Sequence, residues 1–333
     1  MEMETDQEPT FQSSYYESPI LHRNMLSHEK ICWQDFSEDR KVCRPRCDKG
    51  YFSLPGMTQC HRWLTCDDSD DIVIGNQLDR SYVKNLFKGW WKNHTIVIAE
   101  LTDQEWQSHF KAGIRTLREL SEIEDLQNRI TLYIGSCDSN YLYIAYYKHG
   151  SADRLETLFE DEHIQKYDGL SVRFGLCLDL VHFLAVLNKE NPPRIMADMD
   201  SLQRAASQFL ISDDLRLIAN DLDAVPPESQ SWSCRPHRMA PFIAPEQDCD
   251  FLSGVDYVYM THKTDVWKIP DLCDYFIGDY WNDTAAWTGE ISSVFEPCKH
   301  FAPDERPNAR SVYLKLYSIA ERYGFLRKEF EFD

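Results

Sequence analysis

Two aspartates, Asp198 and Asp221, lie where the chain could present carboxylates to one substrate. Asn191-Pro192-Pro193 ends a long apolar helical run and forces the next residues into an extended form, which places Asp198 on a loop. Residues 214–220 carry an apolar side chain at every second position, as a short strand does, and this strand ends at Asp221. The alternative is that each aspartate is an ordinary surface turn acid. If they share a cleft, one could take a proton from a hydroxyl and the other could hold Mg²⁺.

Several further motifs frame the two aspartates in a fixed order. In sequence they are Arg194-Ile195-Met196-Ala197-Asp198, Asp221-Leu222-Asp223, Ala244-Pro245-Glu246, Lys263-Thr264-Asp265-Val266-Trp267 and Glu305-Arg306-Pro307. This order resembles the C-terminal lobe of a protein kinase, with Asp198 and Asp221 at the catalytic-loop and metal-binding positions. The resemblance implies an α+β, bilobal, protein-kinase-like fold with a small antiparallel β lobe and a larger, mainly helical lobe. It also implies a buried ion pair between Glu246 and Arg306.

Phosphoryl transfer requires positioning and charge neutralisation more than covalent help. Asp198 would accept or orient the hydroxyl proton, and Asp221 would ligate Mg²⁺ because hard cations prefer carboxylate oxygen. The usual second ligand, an Asn five residues after the catalytic Asp, is Gln203 here, but the loop is longer than in ordinary kinases. Counting back thirteen residues from Asp221 gives Gln208 instead. We therefore favour Gln208 as the second metal ligand, and the alternative is a purely structural role.

The first half of the chain predicts the small lobe of this fold. Runs rich in aromatic and β-branched residues predict strands at 82–91, 95–101, 129–134 and 141–147, around one helical run at 103–120. Three strands, a helix and two strands make up such a lobe, although the first strand is poorly defined in the sequence. Residues 145–151 are the predicted hinge, where Tyr146 and Tyr147 are candidate nucleotide contacts.

The lysine that binds nucleotide phosphates in this fold is missing from its usual strand. The strand expected to read Val-Ala-Ile-Lys reads Ile96-Val97-Ile98-Ala99, and Gly113 stands where a helix should supply the glutamate partner of that lysine. Lys84, on the neighbouring strand, could reach the same phosphates and is the predicted nucleotide-binding lysine. The alternative for Lys84 is an exposed strand lysine.

Charge and composition limit the classes of partner. The 333 residues include 55 Asp and Glu against 35 Lys and Arg, which gives a formal net charge of −20. Nucleic acids and anionic membranes both require a basic face, so neither is an expected partner. ATP is also an anion, and a nucleotide site on this chain would need Mg²⁺ and a local lysine.

Eleven cysteines is a high count for one chain, and their spacing bears on the compartment in which it folds. Cys43, Cys47, Cys60 and Cys66 crowd ahead of the first lobe, and their spacing favours disulfides over zinc or free thiols, both of which stay open. Disulfides imply an oxidising compartment. The odd count leaves one thiol over, and Cys177, inside an apolar helical run, is the expected buried free thiol. Asn93-His94-Thr95 and Asn282-Asp283-Thr284 are glycosylation sequons, in agreement with a secretory route.

Composition divides the chain into four predicted segments. Residues 1–46 are acidic and polar and predict a disordered N-terminal tail. Residues 47–70 form a Cys-rich cap, residues 71–149 the kinase N-lobe and residues 150–333 the kinase C-lobe. We find no apolar run at the N-terminus of the kind that would make a signal peptide or membrane anchor.

A narrower resemblance rests on motifs that are not general to kinases. They are Cys47-Asp48-Lys49-Gly50-Tyr51-Phe52 with Cys60, Trp63-Leu64 and Cys66, then Val83-Lys84, Ala219-Asn220-Asp221-Leu222-Asp223-Ala224, Ala244-Pro245-Glu246-Gln247, Asp265-Val266-Trp267-Lys268-Ile269-Pro270-Asp271 and Glu305-Arg306-Pro307. Through them the chain, from about Cys47 to Arg310, resembles the protein O-mannose kinase family. That family looks like protein kinases but phosphorylates a sugar.

The resemblance implies a role for each candidate residue. Lys84 replaces the missing strand lysine, Asp198 is the catalytic acid, and Asp221 with Gln208 holds Mg²⁺ for ATP. It also implies the acceptor, which is the 6-hydroxyl of mannose in a GalNAc-GlcNAc-Man trisaccharide on α-dystroglycan-like glycoproteins in the lumen of the endoplasmic reticulum. Members of the family carry an N-terminal membrane anchor, which this sequence is not expected to contain.

One departure from the family keeps other functions open. The family has Gly-x-Gly in its phosphate loop, whereas this chain has Asp79, Arg80 and Ser81. Side chains at these positions keep backbone amides away from phosphate, and Asp79 would repel it, so we expect weak nucleotide affinity. The alternatives are a catalytically impaired pseudokinase that binds the glycan or a partner protein, and a cytosolic protein kinase without disulfides.

Overall fold

The chain separates into a sheet-rich first half and a helical second half. The computed structural model describes residues 30–138, 140–228, 230–235, 241–249, 257–281 and 285–327. Its strands are β1 (Lys30–Asp35), β2 (Arg40–Pro45), β3 (Tyr51–Phe52), β4 (His61–Arg62), β5 (Ile72–Arg80), β6 (Lys84–Trp91), β7 (His94–Leu101), β8 (Tyr133–Cys137), β9 (Tyr141–Ala145), β10 (Phe209–Ile211), β11 (Leu217–Ala219), β12 (Ser231–Ser233) and β13 (Tyr257–Tyr259).

The helices show the same division. They are α1 (Gln107–Ser121), α2 (Leu155–Glu160), α3 (Glu162–Gln165), α4 (Leu170–Lys189), α5 (Leu202–Ser207), α6 (His262–Ile277), α7 (Ala286–Phe295) and α8 (Ala309–Tyr323). Short 3₁₀ turns lie at Cys66–Asp71, Gln104–Trp106, Glu124–Leu126, Ala152–Arg154, Pro245–Gln247, Gly278–Tyr280, Glu296–Lys299 and Pro303–Glu305.

A five-stranded antiparallel sheet forms the N-terminal lobe, in the order β5-β6-β7-β9-β8. Helix α1 packs beside it and buries Phe110, Ile114, Leu117 and Leu120, which recur at the three- and four-residue spacing of one helix face. The predicted pattern of three strands, one helix and two strands is confirmed. Strand β5 was poorly defined in the sequence because it is an edge strand that is exposed along most of its length and lacks alternation.

The Cys-rich cap covers the opposite edge of this sheet. It contains the β3–β4 pair and the disulfide Cys47–Cys60, and the disulfide Cys66–Cys137 ties it to the end of β8. Leu64 of the cap bridges Gly135 on β8, where a Cβ would lie 2.3 Å from the carbonyl oxygen of Leu64. Only glycine admits this approach of two backbones.

The prediction of a disordered tail is wrong for residues 30–46, and residues 1–29 lie outside the described chain. Strands β1 and β2 form a hairpin closed by the disulfide Cys32–Cys43. Asp35, which is 3% exposed, accepts two hydrogen bonds of 2.7 Å from Lys148 in the hinge. A disulfide, an ion pair and the buried side chains of Val42 and of Phe36, which follows β1, hold this hairpin, and its composition gave no alternating signal of order.

Helix α4 is the centre of the C-terminal lobe and packs against α6 and α8. By length and composition α4 is long and apolar enough to cross a membrane, but 72% of that apolar segment is buried inside the protein, as in the core helix of a globular domain. The lobe is mainly helical, so the predicted bilobal, protein-kinase-like fold is confirmed.

The prediction that Cys177 is the free thiol is wrong. Cys177 on α4 is bonded to Cys273 on α6, and the unpaired cysteine is Cys298, which is buried. Burial raises the pKa of the Cys298 thiol to about 12, so the reactive thiolate does not form near neutral pH. The partner of Cys177 lies 96 residues away, and no local pattern could indicate it.

The four clustered cysteines are all in disulfides, two of them with partners outside the cluster. Together with Cys177–Cys273 and Cys234–Cys249 the chain contains five disulfides. This number indicates an oxidising compartment of the secretory type.

Candidate active site

Lys84 reaches across from the sheet of the N-terminal lobe to two carboxylates of the C-terminal lobe. Its Nζ donates to Oδ1 of Asp221 at 2.6 Å and to Oδ2 of Asp223 at 3.2 Å. The lobes are joined beside this contact, because the Thr131 amide donates to the Ala219 carbonyl at 2.8 Å, two residues before Asp221. The predicted lysine and the predicted metal ligand therefore lie together in the cleft.

Burial and charge act in opposite directions on this triad. Burial alone would lower the pKa of Lys84, but the charges of Asp221 and Asp223 outweigh it and raise that pKa. Burial would raise the pKa of Asp221, but Lys84 holds it below its usual range. The pKa of Asp223 is raised to about 6, because burial and the neighbouring charge of Asp221 outweigh the attraction of Lys84.

Lys84 projects from the same face of the sheet as Ala99, the position that holds the lysine in ordinary protein kinases. In the β6–β7 register Lys84 is opposite Leu101, and Leu86 is opposite Ala99. Directly opposed residues share a face, so Lys84 and Ala99 are diagonal neighbours about 7–8 Å apart. A lysine two positions along the adjacent strand can thus enter the same cleft.

Asp223 takes the place of the missing helix glutamate as a partner of Lys84. Gly113 of α1, where that glutamate was expected, lies directly against it, and a Cβ on Gly113 would be 2.9 Å from the Cβ of Asp223 and 3.2 Å from its Cα. A long side chain on the helix would displace Asp223. The loss of the glutamate and the gain of Asp223 are therefore one rearrangement.

The residues around Asp221 form a donor set of oxygens that fits Mg²⁺. Beside the carboxylates of Asp221 and Asp223, the side-chain oxygen of Asn220 is buried and has no hydrogen-bond partner. Carboxylate and amide oxygens are the ligands that hard divalent cations prefer. A buried polar atom without a partner is rare, and a cation would satisfy it.

Gln208 lies beside this set, and its role as a metal ligand stays a prediction. Its carbonyl accepts the amides of Asn220 at 2.9 Å and Asp221 at 3.3 Å, and its side-chain amide donates to the Arg204 carbonyl at 3.2 Å. The side-chain oxygen of Gln208 makes no hydrogen bond within the described residues. The bonds of Gln208 suit both alternatives, a ligand oxygen and a structural brace of the loop.

Asp198 lies on the loop before α5 and is held by arginines. Oδ2 of Asp198 accepts from Nη2 of Arg204 at 2.5 Å, and Arg235 approaches Oδ1 at 3.9 Å. Both arginines also lie near Asp200, at 3.9 Å and 3.8 Å. The hydrogen bond to Asp198 is the main cause that raises the pKa of Arg204, and the charge of Asp221 adds to it. The guanidinium is thus held at Asp198 and also feels the charge of Asp221.

The loop before Asp198 is fixed from the large helix behind it. Oδ2 of Asp265 accepts the Met196 amide at 3.0 Å, and the Ala197 amide donates to the Ala224 carbonyl at 3.0 Å. Ile195 and Ala197 are buried in a small cluster with Val258 and Met260. The backbone that leads to Asp198 is therefore held by these contacts, while the Asp198 carboxylate is 27% exposed.

In the turn between β5 and β6, several backbone amides are hydrogen-bonded to other groups of the same turn. Oδ1 of Asp79 accepts the Arg80 amide at 2.7 Å, and Oγ of Ser81 accepts the amides of Val83 and Lys84 at 3.2 Å and 3.1 Å. The Ser81 amide donates to the Lys84 carbonyl at 2.8 Å. The side chains that replace the glycines therefore occupy backbone donors that a glycine-rich loop would offer to phosphate.

Tyr146 and Tyr147 follow β9, as predicted for the hinge. Tyr146 packs under the Lys88 ammonium, 4.9 Å from its ring centre, and burial raises the pKa of the Tyr147 phenol to about 12. Both line a cavity of about 1230 Å³ behind the hinge, between the β1–β2 hairpin and α4, whose described lining does not include Lys84 or Asp221. Their role as nucleotide contacts stays a prediction.

Three residues of the site were not predicted as such. Asp223 and Asn220 stand on either side of Asp221 in a motif that was noted for its resemblance, and this position was the available signal. Arg204 carried no signal, because its closeness to Asp198 depends on the path of a loop that is longer than usual. The ion pair predicted between Glu246 and Arg306 is present, since Arg306 is fully buried and donates to both oxygens of Glu246 at 2.7 Å and 2.8 Å.

A β lobe and a helical lobe, with a lysine and paired carboxylates at their junction, define a protein-kinase-like protein. No family model matches the chain. Curated relatives do match. The chain is 29% identical to protein O-mannose kinase of Homo sapiens over 284 residues. The aligned region covers 80% of this chain and 78% of the relative.

Two further relatives have the same name. Protein O-mannose kinase of Gallus gallus is 29% identical over 300 residues, with 83% of this chain and 81% of the relative covered. That of Xenopus laevis is 27% identical over 291 residues, with 82% and 80% covered. The chain is therefore similar to protein O-mannose kinases over about 80% of its length, which supports the family that the sequence motifs predicted.

Proposed function

We propose that this protein is an ATP-dependent kinase that transfers the γ-phosphoryl group to a sugar hydroxyl of an O-mannosylated glycoprotein. The specific acceptor we propose is the 6-hydroxyl of mannose in a GalNAc-GlcNAc-Man trisaccharide, on α-dystroglycan-like proteins in the lumen of the endoplasmic reticulum. The names of the relatives support the sugar acceptor. The five disulfides support a compartment of this type.

The observation that carries the proposal is the contact of Lys84 with Asp221 and Asp223 across the lobes. This contact brings a cation and two carboxylates together at the junction of the lobes, which supports a site for nucleotide phosphates there. In this assignment Lys84 binds phosphate oxygens, and Asp221, with Gln208 and Asn220 as candidate co-ligands, holds Mg²⁺. The metal, when bound, neutralises the charge of the β- and γ-phosphates.

Asp198 acts on the acceptor. A carboxylate on a rigid loop can accept the hydrogen bond of the sugar hydroxyl and orient its oxygen toward the γ-phosphorus. The proton of that hydroxyl passes to Asp198 as the new bond forms. A neutral acceptor also suits a chain with a net charge of −20, because no repulsion opposes its approach.

One observation favours a second candidate, a pseudokinase that binds the glycan without transfer. The side chains of Asp79 and Ser81 occupy amides of the turn above Lys84, and phosphate contact there would require those bonds to break. Nucleotide affinity is therefore expected to be weaker than in relatives with glycines at these positions.

The test is transfer to a defined sugar. The purified protein, with its disulfides intact, is incubated with Mg²⁺, ATP and a synthetic GalNAc-GlcNAc-Man trisaccharide, and mass spectrometry measures one added phosphate. The proposal expects a phosphorylated trisaccharide from the wild type and a loss of at least about 100-fold in kcat for Asp198→Asn.

Asp271→Asn is a matched control for this variant. Asp271 is 33% exposed and paired with Lys299 at 2.5 Å, which resembles the 27% exposure and 2.5 Å pair of Asp198, but it lies on α6 away from the cleft. It should leave kcat unchanged. Trisaccharide binding without product in the wild type would establish the pseudokinase instead, and transfer that survives Asp198→Asn would remove Asp198 from its role.

A further inference from the structure

The candidate site offers few free cations to a triphosphate. Lys84 already donates to Asp221 and Asp223, and amides of the turn at residues 79–84 are bonded within that turn. The transferred phosphoryl group carries negative charge on three equatorial oxygens, and catalysis depends on charges placed against them. A further cation that faces this group would lower the barrier.

Arg204 provides such a cation from a fixed base. Its helix α5 is capped by Ser201, whose Oγ accepts the Arg204 amide at 3.3 Å, and is anchored by Ala205 and Ala206, which are fully buried. The side chain itself is 51% exposed and extends toward Asp198. The backbone is held by the buried alanines, whereas the guanidinium lies at the surface of the cleft, paired with Asp198.

The same helix is linked to the metal-binding residues. The Arg204 carbonyl accepts from the side-chain amide of Gln208 at 3.2 Å, and the Gln208 carbonyl accepts the amide of Asp221 at 3.3 Å. The backbone of Arg204 is therefore linked through Gln208, by two hydrogen bonds, to the segment that would hold Mg²⁺ and the phosphates.

The observed pairing of Arg204 conflicts with the task of Asp198. Oδ2 of Asp198 accepts a charge-assisted hydrogen bond of 2.5 Å from Arg204, and this bond occupies a carboxylate that must receive the acceptor hydroxyl. Transfer therefore requires Arg204 to leave Asp198. Arg235, 3.9 Å from the other oxygen of Asp198 and only 20% exposed, would remain and keep the loop in place.

We propose that Arg204 is a catalytic residue that leaves Asp198 for the γ-phosphate when ATP binds, an inference that rests on the proposed function. The planar guanidinium of Arg204 now bonds one oxygen of the Asp198 carboxylate. The γ-phosphate would offer it several anionic oxygens and hence more than one hydrogen bond. The single movement frees the base and stabilises the transferred group. The sugar oxygen then forms the new bond to γ-phosphorus, the bond to the bridging oxygen breaks with its electron pair on ADP, and the hydroxyl proton goes to Asp198.

Nucleotide binding gives a test that is independent of turnover. Calorimetric titration with Mg²⁺ compares ATP and ADP on the wild type and on Arg204→Met. Only ATP has a γ-phosphate, so the variant should bind ATP about 10-fold more weakly and ADP with unchanged affinity. Equal weakening of both nucleotides, or of neither, would overturn the inference.

Kinetics on the trisaccharide give the second measurement. Arg204→Met should lower kcat about 10- to 100-fold, and Arg204→Lys, which keeps the charge but not the fork, should lie between this variant and the wild type. Arg322→Met is the matched control. Arg322 lies on α8, is 58% exposed and is paired with Glu290 at 2.5 Å. It should behave as the wild type in both assays.

The outcomes separate the inference from the proposed function. A wild type that binds neither nucleotide overturns both. A wild type that phosphorylates the sugar, together with an Arg204→Met variant of unchanged kcat, overturns the role of Arg204 alone. Each variant should unfold at the same temperature as the wild type, which would show that a change in kcat does not come from a loss of fold.

Discussion

Gly113 of α1 offers a direct test of the rearranged lysine pairing. Glycine inside a helix is about 0.5–1 kcal/mol less favourable than alanine, so propensity alone predicts that Gly113→Ala stabilises the protein. The structure predicts the opposite sign. The new Cβ would lie 2.9 Å from the Cβ and 3.2 Å from the Cα of Asp223, atoms that no side-chain rotation can move away.

The magnitude follows from a comparison with Gly289 of α7, where an added Cβ meets nothing within 4 Å. Gly289→Ala should raise the free energy of unfolding by about 0.5–1 kcal/mol. At Gly113 the same gain is opposed by overpacking, which typically costs about 1–3 kcal/mol. The expected difference between the two variants is therefore about 1–3 kcal/mol, with Gly113→Ala the less stable.

The assay has two parts. Urea unfolding with disulfides intact measures the difference in stability, and titration with Mg²⁺ and ATP measures the effect on the site. Gly113→Ala should weaken ATP binding severalfold, because a displaced Asp223 changes the position of Lys84, whereas Gly289→Ala should leave it unchanged. If both variants gain the same stability and bind ATP equally, the contact of α1 with Asp223 is wrong, and with it the replacement of the helix glutamate.

Three further predictions concern stability. Glu246→Ala should lower the free energy of unfolding by about 3–5 kcal/mol, because Arg306 is fully buried and would lose its charged partner; a change below about 1 kcal/mol in urea unfolding would contradict this. Burial lowers the pKa of His182 to about 3, below its value near 6.5 in the unfolded chain. The free energy of unfolding is therefore unaffected by protonation of His182 above pH 6.5. As the pH falls from 6.5 toward 3, the free energy of unfolding decreases by up to about 1.4 kcal/mol per pH unit, and His182→Phe should flatten this slope. An unchanged slope would refute the assignment. Replacement of both Cys177 and Cys273 by alanine opens a link across 96 residues and should cost about 4–5 kcal/mol by chain entropy, measured by thermal unfolding against the wild type; an unchanged Tm would argue against that bridge.

Most of the N-terminal lobe could be predicted from sequence because its central strand β7 is buried on both faces and its neighbour β6 is largely half-buried. β6 and β7 were placed within one or two residues by their aromatic and β-branched runs. β5 gave no such signal because it lies at the sheet edge and exposes nearly all its side chains. The β1–β2 hairpin gave none because a disulfide and the Asp35–Lys148 ion pair hold it.

The candidate site divides in the same way. Lys84 and Asp221 could be predicted to share one site because each belongs to a local motif, and the structure brings the two side chains into contact. The part played by Asp223 could not be found, since it depends on how closely α1 approaches the segment after β11, which is a property of the packed lobes. Gly113 was visible in the sequence as a departure, and only the structure shows that the departure makes room for another residue.

The cap also determines how the sheet can meet other chains. Its Leu64 pairs with Gly135 along β8, so that edge is already covered by backbone from the same chain. The other edge, β5, has irregular pairing with β6 between Ile74 and Asp79 and ends in charged residues. Bulges and charges discourage the addition of a foreign strand. In the folded protein, addition of a foreign strand to this sheet is therefore disfavoured at both edges, and a partner of this lobe would contact side chains instead.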